Sequence, residues 1–413
     1  MKILLSAYAC EPNKGSEPGV GWHWAIELAR LGHEVFVLTR ANNRPVIEDA
    51  LRKKPVTNIR FIYYDLPDWA RFWKKGQRGV HLYYLLWQWG AYRVAKLLHA
   101  NELFDYVHHI TFGVVRHPSF MGNLGIPFIF GPLGGGERTP WRLRWGYGLR
   151  GILTDALRDI LNLLIKIDPL MLRAFQQASI IYVKTPQSRT VIPRRFWSKT
   201  KVMIEIGVNL ESYGYLHTGN TDHSTQIRIL YVGRFLYLKG MHLGLRAFAE
   251  LLKISPDARL TLVGNGPDER RWHFLSDKLP IAGQINWVPW MHQDDLNNLY
   301  RQHDVFLFPS LHDSSGNVVL EAMAFGLPVV CLDLGGPGVI VDEICGWKVS
   351  TEGKTADDVV NDLAEGLIRL AGDDALRERY GKNAAERIQT HFTWERVVRN
   401  VYADVSDPID QIS

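Results

Sequence analysis

Short apolar runs recur along the chain: "KILLSAY", "HEVFVLT", "IRFIYYD", "YVHHI", "PFIFG" and "SIIYVKT" in the first half, "IRILYVG", "RLTLVG", "INWVPW", "DVFLFPS" and "PVVCLD" in the second. They are continuous rather than alternating, which predicts strands of parallel sheets buried on both faces. Between many of them lie segments with apolar positions three and four apart, among them "WHWAIELARLG", "MHLGLRAFAELLKIS" and "DLNNLYRQH", and these predict covering helices. Two such series predict an α/β chain of two doubly wound domains. The pattern breaks within 185–225, where "TPQSRTVIPRRFWSK" and "HTGNTDHSTQ" bring in turn and polar residues. An N-terminal domain over 1–206 and a C-terminal domain over 207–390 follow, with the crossover near Gly207. "HFTWERVVRNVYADV" predicts one more helix in the 391–413 tail.

Composition narrows the class. The 413 residues are 46% hydrophobic and 22% charged, the proportions of a globular chain rather than a disordered one. A formal net charge of +5 suits anionic ligands or an anionic membrane face, and no basic run calls for nucleic acid. Cys10, Cys331 and Cys345 are odd in number and lack metal-ligand spacing, so they predict small buried hydrophobes in a reducing, cytoplasmic setting. The start "MKILLSAYAC" imitates a leader peptide, but its apolar part is short and a buried first strand explains it better. No window approaches the roughly 20 apolar residues of a spanning helix, so the chain is expected not to be integral to a membrane.

In open parallel sheets ligands bind at the carboxyl ends of strands, which directs attention to the loops there. The loop "CEPNKGSEPGVGW" carries Gly15, Ser16, Gly19 and Gly21 into a helix whose amino terminus can face a phosphate. It is not the dinucleotide fingerprint, because Trp24 stands where the third glycine belongs; "GNGPDE" from Gly264 fails similarly. "GRFLYLKG" brackets a helix entry with Arg234 and Lys239, two cations able to neutralise a diphosphate in place of a metal ion. "IFGPLGGGERTPW" brings the backbone of Gly134, Gly135 and Gly136, with Glu137, toward a sugar, and His109 of "YVHHITF" ends the preceding strand.

"LHDSSGNVVLEAMAFGLPVV" reads as a loop leading into a helix, with Asp313 in the loop and Glu321 on the helix's second turn. Eight helical residues span about 12 Å, an upper guide that fits a ligand with hydroxyls at both ends and phosphates between. The phosphates would face the amides of Asn317 and Val318. The competing structural role is that Asp313 caps the helix and Glu321 is a solvated helical residue.

Taken together, "GRFLYLKG", "LTLVGNGP", "VFLFPS" and "DSSGNVVLEAMAFGLPVV" resemble glycosyltransferase family 4, the retaining enzymes of bacterial polysaccharide type. The resemblance is strongest from Arg228 to Asp342. It implies a GT-B architecture: two facing Rossmann-like domains with a nucleotide sugar in the cleft, and a final helix crossing back to the first domain. Arg234 and Lys239 match the family's diphosphate pair, Glu321 the second glutamate of its E-x7-E motif, which holds ribose hydroxyls, and Gly316, Asn317 and Val318 its backbone contacts. Asp313 stands where the first glutamate is usual and is shorter by roughly 1.5 Å. Where many members place a histidine after the strand matched by "PFIF", this chain has "GPLGGGE", leaving His109 or Glu137 as the candidate. Gly15, Ser16, Gly19, Gly134, Gly135, Gly264, Val288 and Ser315 complete the donor-binding set, and Asp313, Arg234, Lys239, His109 and Glu137 the catalytic one.

The implied activity is transfer of a hexose from a UDP-sugar, UDP-glucose first, onto a glycan or lipid-linked saccharide in cell-envelope synthesis, with no metal or other cofactor. Two alternatives remain: a nucleotide-sugar epimerase on the same fold, and a catalytically silent nucleotide-sugar-binding protein. A dehydrogenase is disfavoured by the incomplete glycine fingerprints. Aromatic and basic stretches at 69–93 and 141–151 give a candidate peripheral contact with the inner face of the plasma membrane.

Overall fold

The computed structural model describes residues 1–71, 73, 76, 79–210 and 226–406. Phe72, Lys74, Lys75, Gln77 and Arg78 of the 69–93 stretch lie outside the described residues, as do nearly all of "HTGNTDHSTQ" and residues 407–413.

The first of two α/β units holds β1 (Lys2–Ser6), β2 (Glu34–Arg40), β3 (Ile59–Tyr64), β4 (Tyr106–His109), β5 (Phe128–Leu133), β6 (Ile180–Val183) and β7 (Thr200–Val202). They form one parallel sheet in the order β3-β2-β1-β4-β5-β6-β7. The leader-like start is therefore an inner strand: Ile3, Leu4 and Leu5 are fully buried between β2 and β4. Phe36, Phe128, Phe130 and Phe175 build the core, and Tyr83, Tyr84 and Trp87 from the helix Val80–Glu102 enter it. Those three aromatics of the 69–93 stretch thus serve packing.

The second unit holds β8 (Arg228–Val232), β9 (Arg259–Val263), β10 (Ile285–Val288), β11 (Val305–Phe308), β12 (Val329–Leu332) and β13 (Gly346–Val349), again parallel, in the order β10-β9-β8-β11-β12-β13. Strand winding reverses between β8 and β11, so the loops leaving these two strands are neighbours at the sheet's carboxyl edge. Open α/β sheets bind ligands at such a reversal.

By backbone proximity the first unit comprises Met1–Gly136, Ile160–Glu205 and Val397–Ser413, and the second Glu137–Asp159 and Ile206–Arg396. Glu137–Asp159, which the chain makes on the way through the first unit, packs with the second. The helix Trp394–Ser406 begins in the second unit and ends in the first, where the Tyr402 hydroxyl lies 3.0 Å from His108 Nδ1. No described helix is long and apolar enough to cross a membrane. All three cysteines are buried and unpaired with one another.

Candidate functional site

The loop after β8 is locked to the loop after β9 by backbone contact. Gly233 (φ 155°) and Gly264 (φ 141°) occupy the left-handed side of backbone space, and a Cβ at Gly264 would stand 2.1 Å from the Gly233 carbonyl oxygen. A Cβ at Gly266 would meet the Phe235 carbonyl oxygen at 2.3 Å. Phe235 N donates to Asn265 O (2.8 Å), and Tyr237 N to the Asp268 carboxylate (2.7 Å). "GNGPDE" is thus the mould for "GRFLYLKG"; Gly264 is a packing glycine, and its amide donates to the carbonyl of Val288 at 2.9 Å.

The mould sets two cations apart. Arg234 is exposed and pairs with no carboxylate among the described residues. Lys239 is mostly buried, lies 5.2 Å from the centroid of the Phe308 ring, and forms a close ion pair with Asp313 across the β8–β11 junction. The two loops therefore touch where the winding reverses.

Asp313 is fully engaged. One carboxylate oxygen takes Lys239 Nζ; the other accepts the amides of Ser315 (3.1 Å) and Gly316 (2.9 Å). Burial pushes its carboxyl up, but the Lys239 charge and these amides outweigh it and hold it below the usual range. Asp313 thus fastens the turn into the helix Asn317–Ala324, whose N-cap Gly316 sits at φ 71°.

The amide of Gly316 is consumed by Asp313, whereas those of Asn317 and Val318 find no protein acceptor among the described residues; intrahelical bonding starts with Val319 N to Gly316 O at 2.9 Å. Helix amino termini leave such donors for a ligand. One turn on, Glu321 Oε2 accepts from Tyr300 Oη (3.1 Å) and Gln293 Nε2 (3.4 Å), and its other oxygen has no bond among the described residues. Burial raises the Glu321 carboxyl above its ordinary value, only partly opposed by these two donors.

Glu137 is buried in the second unit with Oε2 3.9 Å from His312 Nε2. His312 Nδ1 is 3.4 Å from Arg158, which pairs with Asp155 at 2.9 Å. Burial drives the His312 imidazole down to about 4, Glu137 pulling it up and Arg158 down, so His312 is neutral at physiological pH. Thr139 donates to the carbonyl of Leu311, tying the same segment to the Asp313 loop.

The first unit uses its candidates differently. His109 is fully buried, bonded to the Tyr84 hydroxyl (3.1 Å) and edge-on to Phe130 at 5.5 Å; desolvation lowers it to about 3. It behaves as a core histidine. The amides of Gly134 and Gly136 go to Gly113 O (2.8 Å) and Ser188 Oγ (3.2 Å), and the Gly135 carbonyl accepts from Arg116 and Asn162, so this loop is largely spent on internal bonds. Gly15 caps the helix Ser16–Arg30 with open space around it, Ser16 sits at φ 58°, and a Cβ on Gly19 would meet the Lys14 carbonyl oxygen at 2.0 Å. Trp24, buried, donates to Glu205 O at 2.9 Å.

Sequence reading passed over "LGGPG". Gly335 (φ 61°) would place a Cβ 2.0 Å from the Asp313 carbonyl oxygen, and Gly336 N donates to that oxygen at 2.7 Å. Two glycines two residues beyond the buried strand β12 were the available signal. Among the described residues no group of three or more His, Cys, Asp or Glu is arranged to hold a metal ion.

Residues 218–387 match the family model described as glycosyl transferases group 1. A D-inositol 3-phosphate glycosyltransferase of Kribbella flavida is 34% identical over 49% of this chain and 49% of its own length. The lipopolysaccharide core biosynthesis glycosyltransferase LpsE of Rhizobium meliloti is 31% identical over 41% and 46%. The chain spans about half the length of the curated relatives it matches. Among solved structures, sucrose-phosphate synthase from Thermosynechococcus elongatus superposes with a TM-score of 0.65 at 20% identity, covering 98% of each chain. Anabaena HepE in complex with UDP gives 0.61 at 15%, covering 98% of this chain and 100% of HepE. The fold is accordingly that of GT-B glycosyltransferases: two α/β units, each on a parallel sheet.

Proposed function

We propose that the protein is a cytoplasmic retaining glycosyltransferase of the family-4 type, moving a hexose from UDP-glucose to a glycan or lipid-linked saccharide of the cell envelope. One observation carries this: at the winding reversal of the second sheet the Arg234–Lys239 loop meets the Asp313 loop, which opens into a helix with two unbonded amides and Glu321 one turn on. A cation, amides and a carboxylate in that order suit a diphosphate followed by a ribose. The similarity to a lipopolysaccharide core enzyme and to a UDP-bound structure supports a saccharide acceptor and a UDP donor.

In this scheme the bond between the anomeric carbon and the diphosphate oxygen breaks while the acceptor oxygen bonds to that carbon on the same face. The acceptor's proton goes to a diphosphate oxygen. Arg234 and the amides of Asn317 and Val318 stabilise the charge left on the diphosphate. Lys239 acts mainly through Asp313, fixing the turn that aims those amides. With Arg234 and the amides in place of a metal ion, activity should persist in EDTA; loss restored by added Mg²⁺ or Mn²⁺ would contradict this.

Glu321 accepts ribose hydroxyls best when ionised. Its carboxyl lies above the ordinary range before the ligand arrives, so UDP affinity should fall as pH drops, beginning above the usual carboxylate titration. In Glu321→Gln affinity should be weaker and its fall with pH shallower, keeping only the part due to protonation of the diphosphate; a titration with identical slopes in the two proteins would remove Glu321 from the ribose site.

A screen of labelled nucleotide sugars for slow hydrolysis tests the activity without knowledge of the acceptor. Release of glucose from UDP-glucose ahead of other donors supports the proposal. UDP binding with no turnover of any donor, even with saccharide acceptors supplied, would assign a silent nucleotide-sugar-binding protein instead.

A further inference from the structure

The helix Leu149–Leu164 is built inside out. Its inward face is polar: Asp155 is 3% exposed and pairs with Arg158, Asp159 takes the buried Arg144 at 2.6 Å, and Asn162 donates to the Gly135 carbonyl at 3.2 Å. Its outward face carries Leu149, Leu153, Leu157, Ile160, Leu161, Leu163 and Leu164, all exposed, Leu153 to 69%. At 100° per residue these seven fall within one arc of about 160°, the stripe that a water-soluble helix ordinarily turns inward. Trp141 before the helix and Ile167 after it are exposed as well.

The charge along the same segment points to what this stripe meets. From Arg138 to Arg173 every exposed charged residue is basic, namely Arg138, Arg142, Arg150, Lys166 and Arg173, while Glu137, Asp155, Asp159 and Asp168 are buried or half-buried. We infer that this helix is an interfacial anchor that lays its leucine stripe into an anionic lipid surface, with the basic rim on the headgroups. A symmetric contact with a second copy would set the basic rim against itself, whereas anionic lipid complements it. The outward stripe uses none of the nucleotide residues proposed above and does not depend on their assignment, although Arg158 on the inward face reaches His312, beside Asp313, at 3.4 Å. The anchor takes Trp141, Arg142, Leu149 and Arg150 from the 141–151 stretch, whose Tyr147 is core, and nothing from 69–93, whose Tyr83, Tyr84 and Trp87 are core.

Flotation with vesicles of equal phosphatidylglycerol and phosphatidylcholine, and with phosphatidylcholine alone, tests the anchor on the full chain. Leu153→Gln/Leu157→Gln/Leu164→Gln alters only exposed side chains, so folding should be unchanged by circular dichroism. Each inserted leucine contributes roughly tenfold to partitioning, so the triple variant should lose at least 100-fold on the mixed vesicles. Ile254→Gln/Ile344→Gln, exposed positions off this helix, should bind as the parent does. Wild-type binding should need the anionic lipid and drop at about 1 M salt. Equal flotation of parent and triple variant, or no flotation of either, would overturn the inference. So would a dimer of the parent that the triple variant converts to monomer without any lipid binding.

Discussion

Replacing Asp313 by Ala should destabilise the second unit by about 3–5 kcal/mol and weaken UDP at least tenfold, because the change strips a mostly buried Lys239 of its counter-charge. It also frees the amides of Ser315 and Gly316 from the oxygen that organises the turn. Both carboxylate oxygens are committed to the protein, so the residue acts on the ligand by fixing where Asn317 and Val318 point. Asp313→Asn retains an oxygen for the two amides but loses the acceptor and charge that face Lys239, so it should fall between parent and Ala in urea denaturation. Should Asp313→Ala keep full stability and UDP affinity while losing only sugar transfer, the carboxylate grips hexose hydroxyls instead.

Gly335→Ala should be nearly as damaging, about 2–4 kcal/mol, although the residue carries no functional group. Its φ of 61° costs an L-residue about 1–2 kcal/mol, and the new Cβ would stand 2.0 Å from the Asp313 carbonyl oxygen, which cannot rotate away. Relief requires the Asp313 turn to move, so UDP affinity should fall in step with the melting temperature. Gly353→Ala makes a useful comparison: φ is 71° there as well, but nothing lies within 4 Å, so only the backbone penalty should appear. Equal losses in the two variants would show that packing against the Asp313 loop is unimportant.

The inner strands were legible because burial on both faces makes them continuously apolar: "KILLSAY", "IRILYVG" and "DVFLFPS" became β1, β8 and β11. The edge strands β7 and β13 escaped, being three and four residues long, with Lys201 and Val202 exposed and Trp347 and Lys348 half-buried. The paired loops of the second unit could be read because chemistry-bearing residues follow directly after strands. Roles inside them could not: that Asp313 spends both oxygens on Lys239 and two amides, or that His109 lies in the core beside Tyr84, depends on pairings across the sheet that spacing does not encode. The packing of Glu137–Asp159 with the second unit is hidden for the same reason, since its partners Leu311 and His312 lie far along the chain.

The central claim is that the second unit holds a nucleotide diphosphate at the winding reversal of its sheet, and Arg234 tests it most directly. The side chain is exposed and pairs with no carboxylate among the described residues, so Arg234→Ala removes a ligand contact without disturbing the fold. Calorimetric titration of UDP into parent and variant should give a loss of about 1.5–3 kcal/mol, the range for a hydrogen bond to a charged group, at unchanged melting temperature. Equal UDP affinities in the two proteins would contradict the account.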